Sequence, residues 1–339
     1  MDSILLALVL AATCAFAFLN GFRDISNSVA AAVRTRALTP TIAVVCAAAF
    51  AFLGTLLSST FGTYLVSAVE LNVPERSLGL GILLAALVSA GGWGLFCWWR
   101  GIPTSSTHAV ISGLAGASAA SALLGGDGTH GARSMLLFAV LLPLLVTPLV
   151  AFAASYLLVL PATWLMRHWS SADVTRVGRG AQSVSAFAVS LGHGLQDGQR
   201  TGAMITLALV TAHVLEPGTP VPFAAQLTAA SFLALGALAG GWRITYTLGH
   251  RLVNFDPLRG ASAQTVSAAM LFVGALVLHL PLSTTQAVTS AIVGAGANQR
   301  FETVRWGKVL GVAGYWLAAP VACGTAAAVL FLALHPLLT

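Results

Sequence analysis

Two similar stretches each combine a proline with a run of hydroxyl side chains inside apolar sequence. They are residues 103–107 (Pro-Thr-Ser-Ser-Thr) and residues 281–285 (Pro-Leu-Ser-Thr-Thr), and an apolar segment follows each. Ser and Thr cap free backbone N–H groups where helices begin, and proline is tolerated there because no N–H is needed. Such a helix start binds anions, since its free N–H groups and its dipole point the same way. The pair therefore predicts two halves of one oxyanion site.

Two aspartates lie inside otherwise apolar sequence. Asp24 belongs to the polar stretch 20–28, and Asp197 belongs to the polar stretch 190–202. An ionised carboxylate at membrane depth costs about 2.5–3.5 kcal/mol even on a lenient insertion scale, so it needs a partner or a water-lined cavity. We expect both stretches to be polar breaks, and we expect the two carboxylates to bind a coupling cation or a proton.

The composition indicates a membrane protein. Of 339 residues, 57% are hydrophobic and 8% are charged, the mean hydropathy is +0.88, and soluble domains carry about 25% charged residues. Seven apolar runs approach or exceed the roughly 20 residues that cross a bilayer as a helix. These runs predict an all-α polytopic integral membrane protein, and the first is expected to be retained because it lacks the basic start of a signal peptide. The runs are 3–19, 41–57, 78–99, 134–160, 222–241, 262–282 and 307–334.

Other features of the sequence argue against further functions. The net charge of +6 is spread over short loops, which is typical of the positive-inside pattern and not of a nucleic-acid patch. The four cysteines are far apart and lie in apolar runs, so no disulfide framework or metal spacing is predicted. Residues 126–131 match GxGxxG, but they follow no strand, so we expect a loop there.

The two halves of the chain repeat one another. Ser105 corresponds to Ser283 with an offset of 178 residues (283 − 105), and Asp24 corresponds to Asp197 with an offset of 173 (197 − 24). A difference of five residues is a change in loop length. We therefore predict two homologous repeats, 1–166 and 182–339, joined by a basic connecting loop at 167–181. Inverted repeats whose broken or re-entrant helices meet near the midplane are typical of secondary transporters.

Four motifs in this order resemble the PiT inorganic phosphate transporter family. They are residues 21–27, 101–108, 193–200 and 281–285, and the resemblance extends from about residue 4 to 335. It implies a permease that moves inorganic phosphate with Na⁺ or H⁺, or as a complex with a divalent metal, and that needs no cofactor. It also implies a homodimer in the lipid bilayer, in the plasma (inner) membrane if the source is prokaryotic.

The sequence departs from that family at a few positions. Its usual form is Gly-x-Asn-Asp, whereas Arg23 and Gln196 precede the two aspartates here, and Gln264 stands where Glu is common. Compared with the usual residues, Gln196 and Gln264 each remove either a particular arrangement of a ligand oxygen or a negative charge. These two differences are therefore expected to affect which cation is bound.

Residue chemistry and the resemblance together assign a site. Phosphate needs many donors, whereas a coupling cation needs hard oxygen ligands or a titratable carboxylate. The predicted phosphate-binding residues are Ser105, Ser106, Thr107, Ser283, Thr284, Thr285, Gln199 and Arg200. The predicted cation-coupling residues are Asp24, Asn27 and Asp197.

Several basic and glycine residues keep a second interpretation open. An arginine that snorkels to the interface is an alternative for Arg23 and Arg200. His108 fits a buried core histidine, and His193 has no histidine counterpart, because Asn20 stands at the equivalent position. The Gly-x-x-x-Gly spacings at 236–240 and 307–311 predict close helix contacts.

Two other functions compete with phosphate transport. The first is a permease of the same architecture for sulphate or another oxyanion, but phosphate keeps a proton that it can donate to Asp24 or Asp197. The second is an intramembrane serine hydrolase that uses Ser105 or Ser106 with His108. The repeat argues against the hydrolase, because Gln286 stands where the second copy would need a base.

Overall fold

The computed structural model describes residues 2–61, 74, 76–125, 136–278 and 282–338, and every regular element in these ranges is a helix. The predicted all-α polytopic class is confirmed. Six helical segments are long and apolar enough to cross a membrane, and a bent pair of helices at 223–251 forms a seventh if it is counted as one span. The six are Asp2–Arg34, Pro40–Leu57, Arg76–Arg100, Leu136–Leu165, Pro257–Leu278 and Trp306–Leu338.

The helices are numbered in chain order. Those of the first half are α1 (Asp2–Arg34), α2 (Pro40–Leu57), α3 (Arg76–Arg100), α4 (Ser106–Leu123) and α5 (Leu142–Leu165), which a π-helical turn at Leu136–Leu141 precedes. Those of the second half are α6 (Ser171–Thr211), α7 (Phe223–Ala239), α8 (Trp242–Tyr246), α9 (Pro257–Val273), α10 (Thr284–Ala297) and α11 (Trp306–Leu338). Further π-helical turns follow α8 at Thr247–Arg251 and α9 at Gly274–Leu278.

The two polar stretches that carry aspartates do not break their helices. Residues 20–28 lie within α1, and residues 190–202 lie within α6, which runs for 41 residues. The prediction of breaks there was wrong. A helix satisfies its own backbone hydrogen bonds, and these aspartates find ionic partners through their side chains, so the backbone has no reason to unwind.

Helix α6 also takes up most of the predicted connecting loop. The Oγ atom of Ser170 accepts a hydrogen bond from the backbone N–H of Asp173 at 3.1 Å, and α6 begins at Ser171. A Ser N-cap with an acidic residue three positions later favours a helix start. The prediction of a loop at 167–181 was therefore wrong for 171–181, which form the first turns of α6.

Both hydroxyl stretches begin helices, as predicted. The Ser105 Oγ accepts the N–H of His108 at 3.2 Å, and the Ser283 Oγ accepts the N–H of Gln286 at 3.3 Å. Helices α4 and α10 have 18 and 14 residues, and almost all of their side chains are buried. Pro281 and the GxGxxG match at 126–131 lie outside the described residues.

Helices of one half pack tightly on helices of the other. A methyl group at Gly21 in α1 would overlap the carbonyl oxygen of Leu233 in α7. At the equivalent place in the second half, a methyl group at Gly194 in α6 would overlap the carbonyl oxygen of Ala51 in α2. Each glycine therefore lets a helix backbone of the opposite half approach it directly.

The helices that the hydroxyl stretches begin show the same reciprocity. Gly116 in α4 lies against the backbone of Gly324 in α11, whereas Gly294 in α10 lies against the backbone of Phe152 in α5. Each short helix is thus held by a long helix of the other half.

The four glycines at Gly-x-x-x-Gly spacing have different surroundings. Gly236 packs directly on the carbonyl of Phe18, which confirms a close helix contact. Gly240 ends α7 with φ +65°, a left-handed conformation that suits glycine. Gly307 and Gly311 meet no atom of the described residues within 4 Å, so the predicted close contact is not made within the described part of this chain, and a contact with a second chain stays a prediction.

Most basic side chains lie toward one end of the bundle. The Arg179 Nε donates to the Thr35 carbonyl at 3.0 Å, and the Arg305 Nη1 donates to the His250 carbonyl at 3.1 Å. Ser77 and Leu338 mark the opposite end, where Arg76 is the only arginine or lysine among the described residues. The positive-inside rule predicts that the basic end is cytoplasmic. Its residues are Arg34, Arg36, Arg100, Arg167, Arg176, Arg179, Arg243, Arg251, Arg259, Arg300, Arg305 and Lys308.

Candidate substrate and cation site

The starts of α4 and α10 meet inside the bundle. The Thr285 Oγ1 donates a hydrogen bond to the carbonyl of Thr104 at 3.3 Å, just before the cap of α4. All six predicted hydroxyl residues of the two stretches are buried. Two helix N-termini therefore present hydroxyl groups and free N–H groups to one region, as an oxyanion site requires.

Helix α1 brings Asp24 to the start of α4. The Ser106 Oγ donates to the Asp24 Oδ2 at 3.3 Å, and the Arg23 Nη2 lies 3.4 Å from the Asp24 Oδ1. The same Nη2 lies 3.4 Å from the carbonyl of Thr104. Gly94 in α3 makes room for this guanidinium, because a methyl group there would overlap it. Arg23 is thus buried beside the site and does not snorkel to the interface.

Helix α6 brings Asp197 and Arg200 to the same place. The Arg200 Nη2 lies 2.7 Å from the Asp197 Oδ2, and both side chains are buried. The Arg200 Nη1 donates to the Thr107 Oγ1 at 2.6 Å and to the Ser106 Oγ at 3.2 Å. Hydrogen bonds to an ionised donor are about twice as strong as neutral ones. Arg200 therefore ties the carboxylate of one half to the helix start of the other.

His193 lies between Asp197 and the start of α10. Its Nε2 is 3.7 Å from the Asp197 Oδ2, and its Nδ1 is 3.4 Å from the Thr284 Oγ1. The sequence assigned it no role, since the first half has Asn20 at the equivalent position. Its spacing of four residues from Asp197 on one helix was the available signal, because such residues share a face.

Asn27 contacts the start of α10. Its Nδ2 donates to the Thr285 Oγ1 at 3.1 Å, and its Oδ1 is buried with no hydrogen-bond partner among the described residues. The Asp24-to-Asp197 offset makes Asn27 equivalent to Arg200, and the hydroxyl offset makes Thr285 equivalent to Thr107. The two hydrogen bonds Asn27–Thr285 and Arg200–Thr107 are therefore reciprocal.

Three glutamines have different surroundings. The Gln264 Nε2 donates to the carbonyl of Ser28 in α1 at 2.6 Å, and the Gln196 Nε2 donates to the carbonyl of Leu271 in α9 at 3.2 Å. The Gln199 Nε2 is buried without a partner in the described part of the chain. The Gln199 amide nitrogen thus makes no hydrogen bond to another predicted site residue in the described part of the chain.

The charges of the site balance in pairs. Arg23 is paired with Asp24, and Arg200 is paired with Asp197, all four being nearly inaccessible to solvent. Pairing with an opposite charge offsets part of the cost of burying each ion. The described residues contain no cluster of three or more His, Cys, Asp or Glu side chains that would hold a metal ion. The arrangement has hydroxyl and guanidinium donors for an anion and carboxylate oxygens for a hard cation.

His108 does not form a nucleophile–base pair. Both of its ring nitrogens are buried and have no hydrogen-bond partner among the described residues. The side-chain amide atoms of its counterpart Gln286 are also buried and without a partner there. A serine nucleophile needs a hydrogen-bonded base. The geometry therefore does not support hydrolysis at Ser105 or Ser106.

Comparison with known proteins agrees with this geometry. Residues 20–327 match the phosphate transporter family. A probable low-affinity inorganic phosphate transporter of Bacillus subtilis is 34% identical over 311 residues, which is 91% of each chain. Another from Rhizobium meliloti is 36% identical over 318 residues, covering 92% of this chain and 91% of the relative. A solved structure named "The sodium-dependent phosphate transporter" superposes with a TM-score of 0.85 at 21% identity, over 98% of this chain and 99% of that one.

Proposed function

This chain belongs to the phosphate transporter family, and we propose that it moves inorganic phosphate across the membrane by secondary active transport. It is a multi-pass membrane protein and not an enzyme, which sets the serine hydrolase aside. The observation that supports the proposal best is the meeting of two hydroxyl-capped helix starts beside two buried aspartate–arginine pairs. A tetrahedral anion fits such a site because it accepts hydrogen bonds from several directions.

Phosphate would bind between the starts of α4 and α10. Ser105, Ser106 and Thr107 would contact it from one side, and Ser283, Thr284 and Thr285 from the other, with free backbone N–H groups contributing on both sides. Arg200 already donates to two of these hydroxyl groups, so a small rotation would direct its Nη1 to the anion. Gln199 stays a prediction for this role.

A cation would be coupled through Asp24, Asn27 and Asp197. Either Na⁺ or H⁺ would neutralise a carboxylate and release the arginine that now balances it, so that phosphate gains a free guanidinium. A divalent metal carried together with phosphate would act in the same way. The solved relative is named as sodium-dependent, which favours Na⁺ as the first ion to test.

Two inverted repeats, 1–166 and 182–339, would build this site from re-entrant hairpins near the midplane. Helix α4 runs from the site toward the end where Leu338 lies, since Gly116 packs on Gly324 of α11. Helix α10 runs the other way, toward the start of α11. Equivalent helices that leave the site in opposite directions support an inverted relation.

The homodimer also belongs to this proposal. Gly307 and Gly311 face away from the described part of the chain, and small residues let membrane helices approach closely. Light scattering of the purified protein in detergent should give the mass of two chains. The mass of one chain would contradict the dimer.

Uptake of labelled phosphate into proteoliposomes tests the transport proposal. We expect uptake when an inward Na⁺ or proton gradient is applied, and its loss in Asp24→Asn and in Asp197→Asn, which keep the side-chain size but remove the charge. Uptake that neither substitution affects would exclude these carboxylates from coupling.

Sulphate is the competing substrate for the same architecture. Phosphate carries a proton that it can donate to Asp24 or Asp197, whereas sulphate at neutral pH has none to donate. Excess unlabelled sulphate should therefore leave the uptake of labelled phosphate unchanged. Competition as strong as that of unlabelled phosphate would favour a general oxyanion permease.

A further inference from the structure

A basic cavity lies on the cytoplasmic side of the bundle, apart from the site described above. It encloses about 450 Å³ between the end of α3, helix α8 and the π-helical turn that follows α8. None of its lining residues belongs to the predicted substrate or cation site. Its side chains come from Trp99, Arg100, Trp242, Arg243, Tyr246 and Arg251.

Three arginines line this cavity, and no carboxylate lines it in the described part of the chain. The Arg243 Nη1 donates to the Trp99 carbonyl at 2.8 Å, and its guanidinium lies over the Trp98 ring at 5.2 Å. The Arg251 guanidinium lies over the Tyr246 ring, also at 5.2 Å. Stacking occupies the face of a guanidinium and leaves in-plane N–H donors for an anion.

We propose that the cavity binds the phosphate-bearing headgroup of an anionic phospholipid. Its aromatic walls are exposed, with Trp99 at 59%, Tyr246 at 54% and Trp242 at 46%. Trp and Tyr are enriched where a membrane meets water. The cytoplasmic leaflet is the anionic one, and basic pockets between membrane helices on that side bind lipid headgroups. A free phosphate ion would use the guanidiniums but not the aromatic walls, so a lipid fits both features.

The cavity is connected to the transport site through hydrogen bonds. The Thr247 Oγ1 donates to the carbonyl of Gly101, which lies at the start of the segment leading to the first hydroxyl stretch. The Thr245 Oγ1 donates to the Ser26 Oγ, two residues from Asp24. A headgroup that joins Arg100 to Arg243 would therefore stabilise these contacts. Any effect on transport rests on the proposed function, whereas lipid binding does not.

Lipid binding is tested on the purified full-length protein in neutral detergent. Thermal unfolding is followed while short-chain phosphatidylglycerol, phosphatidylcholine with the same chains, or inorganic phosphate is added. The variant combines Arg243→Gln with Arg251→Gln. The matched control is Arg167→Gln, because Arg167 also stacks on a tryptophan, Trp164, at 4.3 Å, and lies outside the cavity.

We expect phosphatidylglycerol, but not phosphatidylcholine, to stabilise the wild type and the control. Removal of two guanidiniums should weaken this binding about 30-fold, since each basic residue near an anionic headgroup contributes about 1 kcal/mol. A variant with lysine at both positions should keep most of it, which separates loss of charge from loss of folding. Equal stabilisation of the glutamine variant would overturn the proposal. Displacement of the lipid by inorganic phosphate would also overturn it and would identify the cavity as an ion site.

Discussion

Arg200 makes the contacts that link the two ions of the proposed transport cycle. It is paired with Asp197 at 2.7 Å and donates to the Thr107 hydroxyl at 2.6 Å. Because Asp197 already balances its charge, phosphate alone gains little from it. In the proposed cycle, a cation that binds Asp197 would free the guanidinium for phosphate. The same residue thus explains why one ion would bind better when the other is present.

Replacement of Arg200 by glutamine should raise the KM for phosphate by about 10- to 100-fold, because a hydrogen bond from a charged group is worth about 1.5–3 kcal/mol. Lysine keeps the charge but not the forked geometry of the guanidinium. The KM of Arg200→Lys should therefore lie between those of the wild type and of Arg200→Gln. Initial uptake rates in proteoliposomes measure this. Arg167→Gln, on the protein surface, serves as the control. An unchanged KM in Arg200→Gln would remove Arg200 from the substrate site.

The two reciprocal threonines should not be equally sensitive. Thr107 accepts from the charged Arg200, whereas Thr285 is bonded to neutral groups only, accepting from the Asn27 amide and donating to the Thr104 carbonyl at the long distance of 3.3 Å. Replacement by valine keeps the shape and removes the hydroxyl group. We expect Thr107→Val to reduce uptake more than Thr285→Val, since bonds to charged groups are worth about 1.5–3 kcal/mol and neutral ones about 0.5–1.5 kcal/mol. Uptake rates that are reduced in the opposite order would contradict this.

Part of the site could be predicted from residue types alone. The hydroxyl stretches and the two aspartates stand out because polar side chains are rare in such apolar sequence. The burial of Arg23 could not be predicted, because it depends on the space that Gly94 provides in another helix. The position of His193 beside Thr284 depends on packing between α6 and α10, which no local pattern specifies.

The helices hold the site through close glycine contacts between the two halves. Gly21 and Gly194, each three residues before an aspartate, lie directly on a carbonyl oxygen of the opposite half. These contacts fix the height and rotation of α1 and α6, and therefore the positions of both carboxylates.

Substitution of Gly21 by alanine should lower the thermal stability of the protein in detergent and reduce phosphate uptake. The added methyl group would overlap a backbone oxygen that has no rotamer to change, and overpacking costs about 1–3 kcal/mol or more. Gly92→Ala in α3 is the matched control, since a methyl group there would meet no atom of the described residues within 4 Å. It should be neutral or slightly stabilising because alanine favours a helix over glycine. Equal melting temperatures of the two variants would contradict this prediction, because they would mean that α1 can shift enough to accommodate the methyl group.

The sequence was more informative about where helices begin than about where they continue. Ser105 and Ser283 were predicted as caps because capping is local. The continuity of α1 through residues 20–28 was not predicted, because the partners that make Asp24 tolerable lie in α1 itself and at the start of α4. Ser170 and Asp173 did carry a local signal for the start of α6, which the basic composition of 167–181 obscured.

The distribution of basic residues orients the whole molecule in the membrane. Both described ends of the chain, near Asp2 and Leu338, lie opposite the basic end, so we expect both to be extracytoplasmic. In a variant without its native cysteines, Ser3→Cys should react with a membrane-impermeant maleimide added to intact cells. Ala172→Cys, at the start of α6, should react only after the cells are opened. The reverse pattern would invert this orientation.

The reciprocal packing of the two halves has a consequence for how the protein is made. When the first 166 residues have been synthesised, α2 still lacks α6, and α4 still lacks α11, against which their backbones pack. Much of the second half must therefore be synthesised before the helices of the first half can pack in their final positions. A chain cut short near the middle would be a substrate for membrane proteases, whereas two fragments produced together in one cell would protect each other and assemble.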